Sequence, residues 1–267
     1  DEYISLADFV DDSTINRVGY TFGGFTLGDA PITSETKFAS AEPVEIVAKW
    51  MAIGFNLTIE EVDDVTVTVT DKTAEGDAYK VKFDESITLT AVIGTGYHFE
   101  GYTSASGYNE TDETYTFAYT TEGNVVITAT AEANGYTIKY NGNGGGGNVS
   151  ATDATYDTAT EIATGSGFTR TGYTLTGWTT QVNGTESEVK TDVASIGDIT
   201  ESGLYLIGGK TYAFNLATGA EGDAEVTLYA VWTANQYNVT IDEKEGSAID
   251  DLTDVVYDVA TEITGES

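Results

Sequence analysis

Apolar and polar residues alternate along much of the chain, which predicts β-strands rather than helices. Residues 65–70 read VTVTVT and alternate strictly, and residues 225–232, EVTLYAVW, alternate almost as regularly. A period of two residues places one face of a strand on a core and the other face in solvent. The pattern predicts a short helix only around residues 5–12. We therefore expect a mostly β protein.

One short box of residues recurs three times. It reads VGYTFGGFT from Val18, TGYHFEGYT from Thr95 and TGYTLTGWT from Thr171, so its frame is Gly-Tyr-x-apolar-x-Gly-aromatic-Thr. Repetition at a nearly constant spacing indicates tandem structural units. The recurring residues of this Gly-Tyr box, for which we expect a structural role, are Gly19, Tyr20, Phe25, Gly96, Tyr97, Tyr102, Gly172, Tyr173 and Trp178.

A second box joins each unit to the next. It reads PVEIVAKWMAIGFNLTIE from Pro43, NVVITATAEANGYTIKY from Asn124 and EVTLYAVWTANQYNVTID from Glu225. Each copy predicts a closing strand, a short break and an opening strand that begins with an aromatic residue. Trp50 and Trp232 share one position of the closing strand, and we expect both to be structural. A third box, YKVKFDESITLTA, ATYDTATEIAT or VVYDVATEITG, follows each opening strand.

The order of the boxes divides the chain into four pieces. Residues 55–135 and 136–236 are predicted to be whole modules, residues 1–54 the C-terminal part of a module, and residues 237–267 the N-terminal part of a further one. The outer pieces allow two interpretations. They are a window on a longer array, or the tail of one copy completes the head of the next by strand addition.

These boxes resemble the internalin-type B-repeat family, including its divergent form. The resemblance rests on YTIKYNGNGG, TRTGYTLTGWTT and VTLYAVWTA within residues 136–234. Residues 55–135 fit the divergent form, with Ala131 and Tyr102 at the positions of the two tryptophans. The resemblance implies small β-grasp-like modules in tandem on bacterial surface proteins, commonly adhesins, and it implies no catalytic residues. With the very short junctions, we expect the modules to form an elongated rod.

The charge of the chain excludes several classes of partner. It carries 44 acidic against 11 basic residues, a formal net charge of -33. Such a chain repels phosphate backbones and anionic lipids, so we expect neither nucleic acid nor direct membrane insertion, and no apolar run is long enough to span a bilayer. Divalent cations, basic partners and adaptation to high salt all remain compatible with the charge. The lack of cysteine excludes disulfides, thiolate nucleophiles and cysteine metal sites.

Two features invite a chemical interpretation. The run YNGNGGGGNVS after the opening strand of the third piece resembles a phosphate loop, but it lacks the lysine and the helix that such a loop needs. Its Asn-Gly steps predict a turn instead. The single histidine, His98, stands where the other boxes have threonine, so we expect a polar surface position there.

Acidic pairs are the remaining candidates for a bound ion. Asp63 with Asp64, and Asp250 with Asp251, are weak calcium candidates, because calcium needs several oxygen ligands converging on one point. No known calcium-loop spacing is present, and a solvated acidic face is the simpler interpretation. We therefore expect no cofactor, with Ca²⁺ left open.

The function predicted from the sequence is structural. We expect a non-enzymatic, extracellular stalk or fibre region of a bacterial surface protein, located at the cell surface, whose partners are other copies, neighbouring repeats, or a host or cell-surface protein or glycan. One alternative is a filament subunit that polymerises head to tail through the split module. The other is a carbohydrate- or protein-binding module that uses the recurring aromatic residues as a platform.

Overall fold

The computed structural model describes residues 15–37, 40, 42–219, 224–246 and 249–263. The helix predicted around residues 5–12 lies outside the described residues. The described chain is mostly β, as predicted, and its contacts divide it into two compact units. One unit comprises Asp1–Gly94 and Phe99–Glu132, and the other comprises Thr95–His98 and Ala133–Ser267. None of the described helical segments has the length and apolar character needed to cross a membrane.

The strands between residues 20 and 133 form three sheets, with orders β2-β1-β3, β6-β4-β10-β8 and β5-β7-β9. Their bounds in chain order are β1 (Tyr20–Leu27), β2 (Ala30–Pro31), β3 (Val47–Ala52), β4 (Gly54–Val62), β5 (Val65–Val69), β6 (Tyr79–Lys82), β7 (Ser86–Ile93), β8 (Tyr97–Thr103), β9 (Thr114–Ala118) and β10 (Val125–Ala133). The alternation predicted for residues 65–70 is confirmed, because Val65, Val67 and Val69 of β5 are buried and the threonines between them are exposed.

The strands from residue 135 onwards form four sheets, with orders β13-β11-β20-β16, β12-β15, β14-β19-β18-β17 and β21-β22. Their bounds are β11 (Gly135–Asn141), β12 (Gly146–Gly147), β13 (Thr152–Thr155), β14 (Thr160–Glu161), β15 (Phe168–Thr169), β16 (Tyr173–Thr179), β17 (Val189–Lys190), β18 (Gly203–Ile207), β19 (Lys210–Phe214), β20 (Ala224–Ala234), β21 (Gln236–Val239) and β22 (Leu252–Val256). Among the described residues, Ile196–Asp198 forms a 3-10 turn just before β18.

Both four-stranded sheets that carry a Gly-Tyr box have the same plan. The opening strand and the closing strand run parallel at the centre, β4 beside β10 and β11 beside β20. A second strand flanks the opening strand, and the Gly-Tyr strand flanks the closing strand. In β10 and β11, buried residues alternate with exposed or half-buried ones, so one face of each central pair lies on a core and the other is partly open to solvent. In the sheet of β11 and β20, the core gathers around Ile138, Trp178 and Leu228.

The pairing register is also the same in both sheets. Leu57 of β4 lies opposite Val125 of β10, and Ile138 of β11 lies opposite Val226 of β20. Leu57 and Ile138 are the third residues of their repeats, counted from the aromatic residue that opens the strand. Because a slip of one residue would turn these side chains to the other face, burial of the apolar positions determines this register.

Within the described residues, the first and last sheets along the chain contain half of this plan. Sheet β2-β1-β3 has the Gly-Tyr strand and the closing strand, paired antiparallel, and sheet β21-β22 has the opening and second strands. Several apolar side chains in or beside these half-sheets are exposed, although the residues at the same positions of the complete repeats are buried or partly buried. They are Val44, Val47, Tyr237, Val239 and Ile263.

The glycine-rich run forms a turn, as its Asn-Gly step predicts. Asn143 and Gly144 have φ values of 47° and 90°, and the Gly145 amide donates to the Gly142 carbonyl at 2.8 Å, which is the geometry of a type I′ turn. The indole N–H of Trp232 donates to the same Gly142 carbonyl at 2.8 Å. A Cβ on Gly145 would overlap the Trp232 ring, so the glycines here make room for the tryptophan.

Candidate functional site

The Gly-Tyr box forms the same hydrogen-bonded link at each of its three occurrences. In the first, the Ile53 amide donates to the Gly19 carbonyl at 2.9 Å, and the Ile53 carbonyl accepts from the Phe83 amide at 3.0 Å. Ile53 is the linker residue that follows the closing strand. The Gly-Tyr box is therefore joined, through the linker, to the third box of the next repeat.

The other two boxes repeat this relay with asparagine as the linker residue. The backbone amide of Asn134 donates to the Gly96 carbonyl at 2.7 Å, and the backbone amide of Asn235 donates to the Gly172 carbonyl at 2.8 Å. The carbonyl of each asparagine accepts at 2.9 Å from the amide of an aromatic residue, Tyr156 or Tyr257. We call the arrangement the clasp. Its members are Gly19, Tyr20, Ile53, Phe83 and Asp84 in the first case, Gly96, Tyr97, Asn134, Tyr156 and Asp157 in the second, and Gly172, Tyr173, Asn235, Tyr257 and Asp258 in the third.

Two aromatic rings meet edge to face in every clasp. Tyr20 and Phe83 have ring centroids 5.7 Å apart at an interplanar angle of 71°. The corresponding values are 5.9 Å and 73° in the second clasp, and 5.6 Å and 76° in the third. Edge-to-face packing is the favoured geometry for aromatic pairs. The near-identity of the three angles indicates one specific contact formed three times.

The clasp explains why its first residue is glycine. Gly19, Gly96 and Gly172 have φ values of 79°, 85° and 76°, in the left-handed region that side chains disfavour. A Cβ at any of the three would also overlap the ring of the aromatic partner, Phe83 or its two tyrosine counterparts. Glycine is thus required both by the backbone conformation and by the packed ring.

The aspartate that follows the aromatic partner turns the chain and binds the box. Asp84, Asp157 and Asp258 all have positive φ, between 54° and 63°. In the first two clasps the tyrosine hydroxyl donates to this carboxylate at 2.8 Å, Tyr20 to Asp84 and Tyr97 to Asp157. The hydrogen bond to Asp84 raises the pKa of Tyr20 above its usual range, since it stabilises the protonated hydroxyl.

An arginine covers the tyrosine ring in the first and third clasps. The guanidinium carbon lies 3.8 Å from the ring centroid in both, for Arg17 over Tyr20 and for Arg170 over Tyr173. The middle box has Gly94 at the corresponding position. The third clasp therefore combines a cation–π contact with the ring pair, and the first adds the aspartate hydrogen bond as well.

The side chain two residues after the clasp glycine binds the linker asparagine. His98 Nδ1 lies 2.8 Å from Asn134 Oδ1, and the Thr174 hydroxyl donates to Asn235 Oδ1 at 2.6 Å. Histidine and threonine thus make equivalent contacts at equivalent places. Asn134 is buried, and its amide nitrogen also donates to the Gly219 carbonyl at 2.7 Å. His98 therefore has a structural role, since it binds the linker asparagine of the second clasp.

The aromatic residues at the end of the Gly-Tyr box differ in exposure. Tyr102 and Trp178 are 1% and 2% exposed, so neither ring can stack on a sugar. Burial raises the pKa of Tyr102 to about 12, and its hydroxyl donates to the Glu113 carbonyl at 2.9 Å. Phe25, at the same position of the first box, is half-buried and packs against Phe22 at a centroid distance of 5.0 Å.

The two tryptophans of the closing strands are half-buried. Trp50 packs edge to face on Phe22 at 5.5 Å. Trp232 packs against the core of its sheet and covers the glycine-rich turn described above. These two side chains therefore contribute to the packing of their own sheets.

The acidic calcium candidates are exposed, and one of the two pairs makes a turn. Asp63 has a positive φ of 59°, and its carbonyl accepts from the Val65 amide at 2.6 Å, so the pair Asp63–Asp64 makes the turn between β4 and β5. The Asp251 carboxylate accepts from the Ile241 amide at 2.9 Å. Within the described part of the chain, neither pair gathers with further acidic or histidine side chains closely enough to hold an ion.

One pocket of about 470 Å³ lies in the first unit and has three lysines in its wall, Lys72, Lys80 and Lys82. Lys72 Nζ donates to the Glu85 carboxylate at 2.9 Å, and Lys80 Nζ donates to Asn56 Oδ1 at 2.7 Å. Burial raises the pKa of Glu85, but hydrogen bonds from Lys72 and the Lys82 amide outweigh it and lower the pKa overall. These groups bind one another.

Sequence reasoning located the Gly-Tyr box but missed its partner. The aromatic-Asp pair of the third box recurs as Phe83-Asp84, Tyr156-Asp157 and Tyr257-Asp258, and that recurrence was the available signal. The structure joins it to a glycine about 60 to 85 residues earlier in the chain. Each clasp contains two rings and backbone amides, and the first two also contain a hydroxyl–carboxylate pair; these groups hold two segments together.

Two family models match the chain, side by side. The divergent InlB B-repeat domain matches residues 56–135, and the Listeria-Bacteroides repeat domain matches residues 136–200. Repeats of this kind are typical of bacterial surface proteins. No curated protein matches the chain in sequence.

Proposed function

Because this chain belongs to the internalin-type B-repeat family, we propose that it is a non-enzymatic structural and adhesive segment of a bacterial surface protein, a stalk or fibre outside the cell. The observation that carries the proposal is the clasp. The clasp ties each repeat to the next and is formed three times with the same geometry. Such a connection suits a segment that transmits force or keeps a fixed distance between its two ends.

The proposal includes the division of the chain into modules. Residues 55–135 and 136–236 would be whole β-grasp-like modules, residues 1–54 the C-terminal part of a module and residues 237–267 the N-terminal part of a further one. The shared plan and register of the two four-stranded sheets support this division. Modules coupled in this way would stack along one direction, as other tandem repeats do.

The clasp is suited to resist bending at a junction. An edge-to-face aromatic pair contributes about 0.5–1.5 kcal/mol beyond the burial of its rings. Each backbone hydrogen bond adds a net contribution of about 1 kcal/mol. Two backbone hydrogen bonds at the linker residue and one ring pair beside it oppose swinging there, because any large rotation would break them together. A flexible tether, in contrast, would be rich in glycine and serine and would lack a packed contact.

The charge is compatible with exposure outside a cell. A net charge of -33 would keep neighbouring copies apart through repulsion, to the extent that salt does not screen it. The proposed partners are other copies or neighbouring repeats, and a host or cell-surface protein or glycan for the adhesive role. Ca²⁺ is a further candidate ligand, at the exposed acidic pairs Asp63–Asp64 and Asp250–Asp251.

A second candidate function is a subunit of a head-to-tail filament. It is favoured by the two half-sheets, whose apolar residues are exposed where the complete sheets bury theirs. A sugar-binding platform is less well supported, since Tyr102 and Trp178 lie in the core.

The test is the position of the segment on the cells that produce it. Antibodies raised against residues 136–236 should label intact cells, and protease treatment of intact cells should remove the label. Labelling only after permeabilisation would contradict the proposal. An antibody against a cytoplasmic protein of the same cells is the control for membrane integrity.

A further inference from the structure

We infer that the lysine-lined pocket of the first unit binds a sugar that carries a carboxylate, such as a uronic acid residue of a glycan. The inference rests on the proposed function, because it names the class of partner for the adhesive role. The pocket is separate from the recurring aromatic residues of the Gly-Tyr box. Its charge, its place in the repeat and its hydrogen-bond donors all point to this ligand.

The pocket is positively charged in a chain that is strongly acidic. Its wall contains Lys72, Lys80 and Lys82, three of the 11 basic residues of the chain. The charge of Lys72 is matched by Glu85, whose carboxylate lies 2.9 Å from Lys72 Nζ. Lys80 and Lys82 form no ion pair with a carboxylate in the described chain. The pocket therefore has two positive charges without a paired carboxylate.

Comparison of the repeats shows that this charge is particular to one module. In each repeat, one residue of the second strand lies opposite the aromatic residue that opens the first strand. These residues are Val81, Ala154 and Val255. The residue before it is Lys80 in the first case, but Asp153 and Asp254 in the other two. Any charged side chain protects an exposed strand edge from pairing, so edge protection alone does not explain the change from aspartate to lysine.

Two asparagine side chains supply further donors to the pocket. Asn56 Oδ1 accepts from Lys80 Nζ at 2.7 Å, and Asn124 Oδ1 accepts from the Asn56 backbone amide at 2.9 Å. Because an ammonium group and a backbone amide can only donate, these contacts identify the oxygen of each side chain. Neither Nδ2 group has an acceptor within the described chain. In the next repeat, the residue at the position of Asn124 is Glu225, which offers acceptors instead.

The pocket thus offers donors but few free acceptors. The two oxygens of Glu85 already accept hydrogen bonds, one from Lys72 Nζ at 2.9 Å and the other from the Lys82 amide at 2.7 Å. A fitting ligand must therefore bring oxygen atoms and a negative charge. An acidic peptide would also bring backbone N–H groups, which need acceptors that this pocket lacks.

The volume of the pocket favours a sugar over a simple anion. A volume of about 470 Å³ lies within the range of about 300–1,000 Å³ that is usual for small-molecule sites, whereas a small ion would leave most of it to water. A carboxylated sugar supplies carboxylate oxygens for the ammonium groups of Lys80 and Lys82. Its hydroxyl groups can accept from the amide nitrogens of Asn56 and Asn124.

The net charge of the chain does not prevent this binding. At 0.15 M salt the Debye length is about 8 Å, so a ligand in the pocket responds to the nearby lysines more than to distant carboxylates. At 1 M salt the Debye length falls to about 3 Å. Binding should therefore weaken between these two salt concentrations, because the attraction by Lys80 and Lys82 is then screened as well.

The experiment titrates the full chain with glucuronate at about 0.15 M salt and follows the backbone amide signals by NMR. Glucose, which has the hydroxyl groups but no carboxylate, is one control. Acetate, which has the carboxylate but no hydroxyl groups, is the other. The expected result is saturable shifts at Asn56 and Lys82 with glucuronate, and affinity at least about tenfold lower for either control.

Variants connect the binding to the pocket. Lys82→Gln should weaken glucuronate binding at least about tenfold. Lys49→Gln is the matched control, since Lys49 is an exposed lysine of the same unit that forms no ion pair in the described chain, and its affinity should stay within about twofold. Lys80→Asp should abolish binding and keep the fold, because Asp153 and Asp254 occupy this position in the other repeats.

Four results would each overturn the inference. One is the absence of saturable shifts with glucuronate, and another is equal affinity for glucuronate and acetate, which would mean that the pocket recognises charge alone. Tighter binding of a short glutamate peptide would make the partner an acidic protein segment. Equal effects of Lys82→Gln and Lys49→Gln would place the binding outside the pocket. The cell-surface test does not depend on these measurements, so failure of the sugar site and failure of the proposed surface role can be told apart.

Discussion

The complete sheets and the half-sheets contain the same repeat motif, but only the complete sheets bury it. Ile138 in β11 is fully buried, and Val239 at the same position in β21 is 40% exposed. The two strands have the same kind of sequence, equivalent antiparallel neighbours (β13 and β22) and the same kind of clasp at their start. The difference is the parallel partner: β11 pairs with β20, whereas β21 has no equivalent parallel strand within the described chain.

The difference teaches that strand formation and core formation are separable in this repeat. A two-stranded hairpin is marginal by itself, yet β21 and β22 are formed. The third clasp accounts for this, since Asn235 and Tyr257 tie the hairpin to Gly172 of the preceding repeat. In the described chain, the clasp therefore holds the β21–β22 hairpin against the preceding repeat although no closing strand is paired with it.

The strongest way to sharpen the comparison is to remove apolar atoms at the matched position. Ile138→Ala should destabilise its unit by about 2–5 kcal/mol, because it leaves a cavity in a closed core. Val239→Ala should change the stability of the dilute chain by about 0.5 kcal/mol or less, as for surface positions. Urea unfolding, monitored through hydrogen exchange of the amides in each sheet, measures the stability change in both variants. Similar losses in the two variants would show that β21 already has a core.

Alkaline pH gives the next largest effect, and only where tyrosine hydroxyls are buried. Burial raises the pKa of both Tyr102 and Tyr119 to about 12 from an ordinary value of 10.0. The folded state therefore favours the protonated hydroxyls, so stability is intact below pH 10 and falls as pH rises from 10 towards 12. The loss should reach about 1.4 kcal/mol per pH unit for each tyrosine.

Variants at these tyrosines separate this effect from general alkaline damage. Tyr102→Phe should reduce the slope of stability against pH above pH 10, at a cost of about 1 kcal/mol at neutral pH for the lost hydrogen bond to the Glu113 carbonyl. Thermal melts between pH 8 and pH 12 measure the slope. A slope that is unchanged in the double variant Tyr102→Phe/Tyr119→Phe would contradict the assignment to these hydroxyls.

The third prediction concerns the clasp that anchors the half-sheet. Gly172→Ala places a Cβ on the Tyr257 ring in a backbone with φ of 76°, whereas Gly209, with φ of 80°, has open space around it. Gly209→Ala should cost about 1–2 kcal/mol for the backbone alone. Gly172→Ala should cost about 1–3 kcal/mol more because the ring must move.

Hydrogen exchange can locate the damage. In Gly172→Ala, the amides of Asn235 and Tyr257 should lose protection, since they form the relay to the Gly172 carbonyl. In Gly209→Ala they should keep it. Retained protection in both variants would mean that the clasp does not hold the hairpin.

The sequence predicts the repeat, the strands and the turn chemistry well, because these depend on near neighbours. The strict alternation of residues 65–70 and the Asn-Gly turn at residues 143–144 are read from a few residues each. The spacing and the order of the boxes also locate the opening and closing strands, since each box has an aromatic residue at a characteristic position. These features follow from local sterics and from the apolar pattern.

The clasp could not be derived in the same way, because its contacts join distant residues. Gly19 meets a ring 64 residues later, and nothing in the box itself names that ring. The strands β17, β18 and β19 lie in a segment without a counterpart in the other repeats, so comparison of the repeats could not predict their sheet. Tyr102 is buried and Val239 is exposed because different partner strands are present next to them. The repeat motif does not specify which partner strand is present.

The smallest expected effect separates two versions of the clasp. The Tyr97 hydroxyl donates to Asp157 at 2.8 Å, whereas in the described structure the Tyr173 hydroxyl donates to no carboxylate and its ring carries Arg170 instead. Tyr97→Phe should therefore cost about 0.5–1 kcal/mol, and Tyr173→Phe should be close to neutral.

Calorimetric melting of the two variants beside the unmodified chain measures this difference, and salt provides the control. A hydrogen bond to an exposed carboxylate weakens as ionic strength rises, so the gap between the variants should narrow between 0.05 M and 0.5 M salt, on the order of a change from weak to strong screening. Ring packing has no such dependence. Equal losses in the two variants at every salt concentration would mean that the aromatic pair and the backbone hydrogen bonds form the clasp without the tyrosine–aspartate hydrogen bond, and that the aspartate serves only to turn the chain.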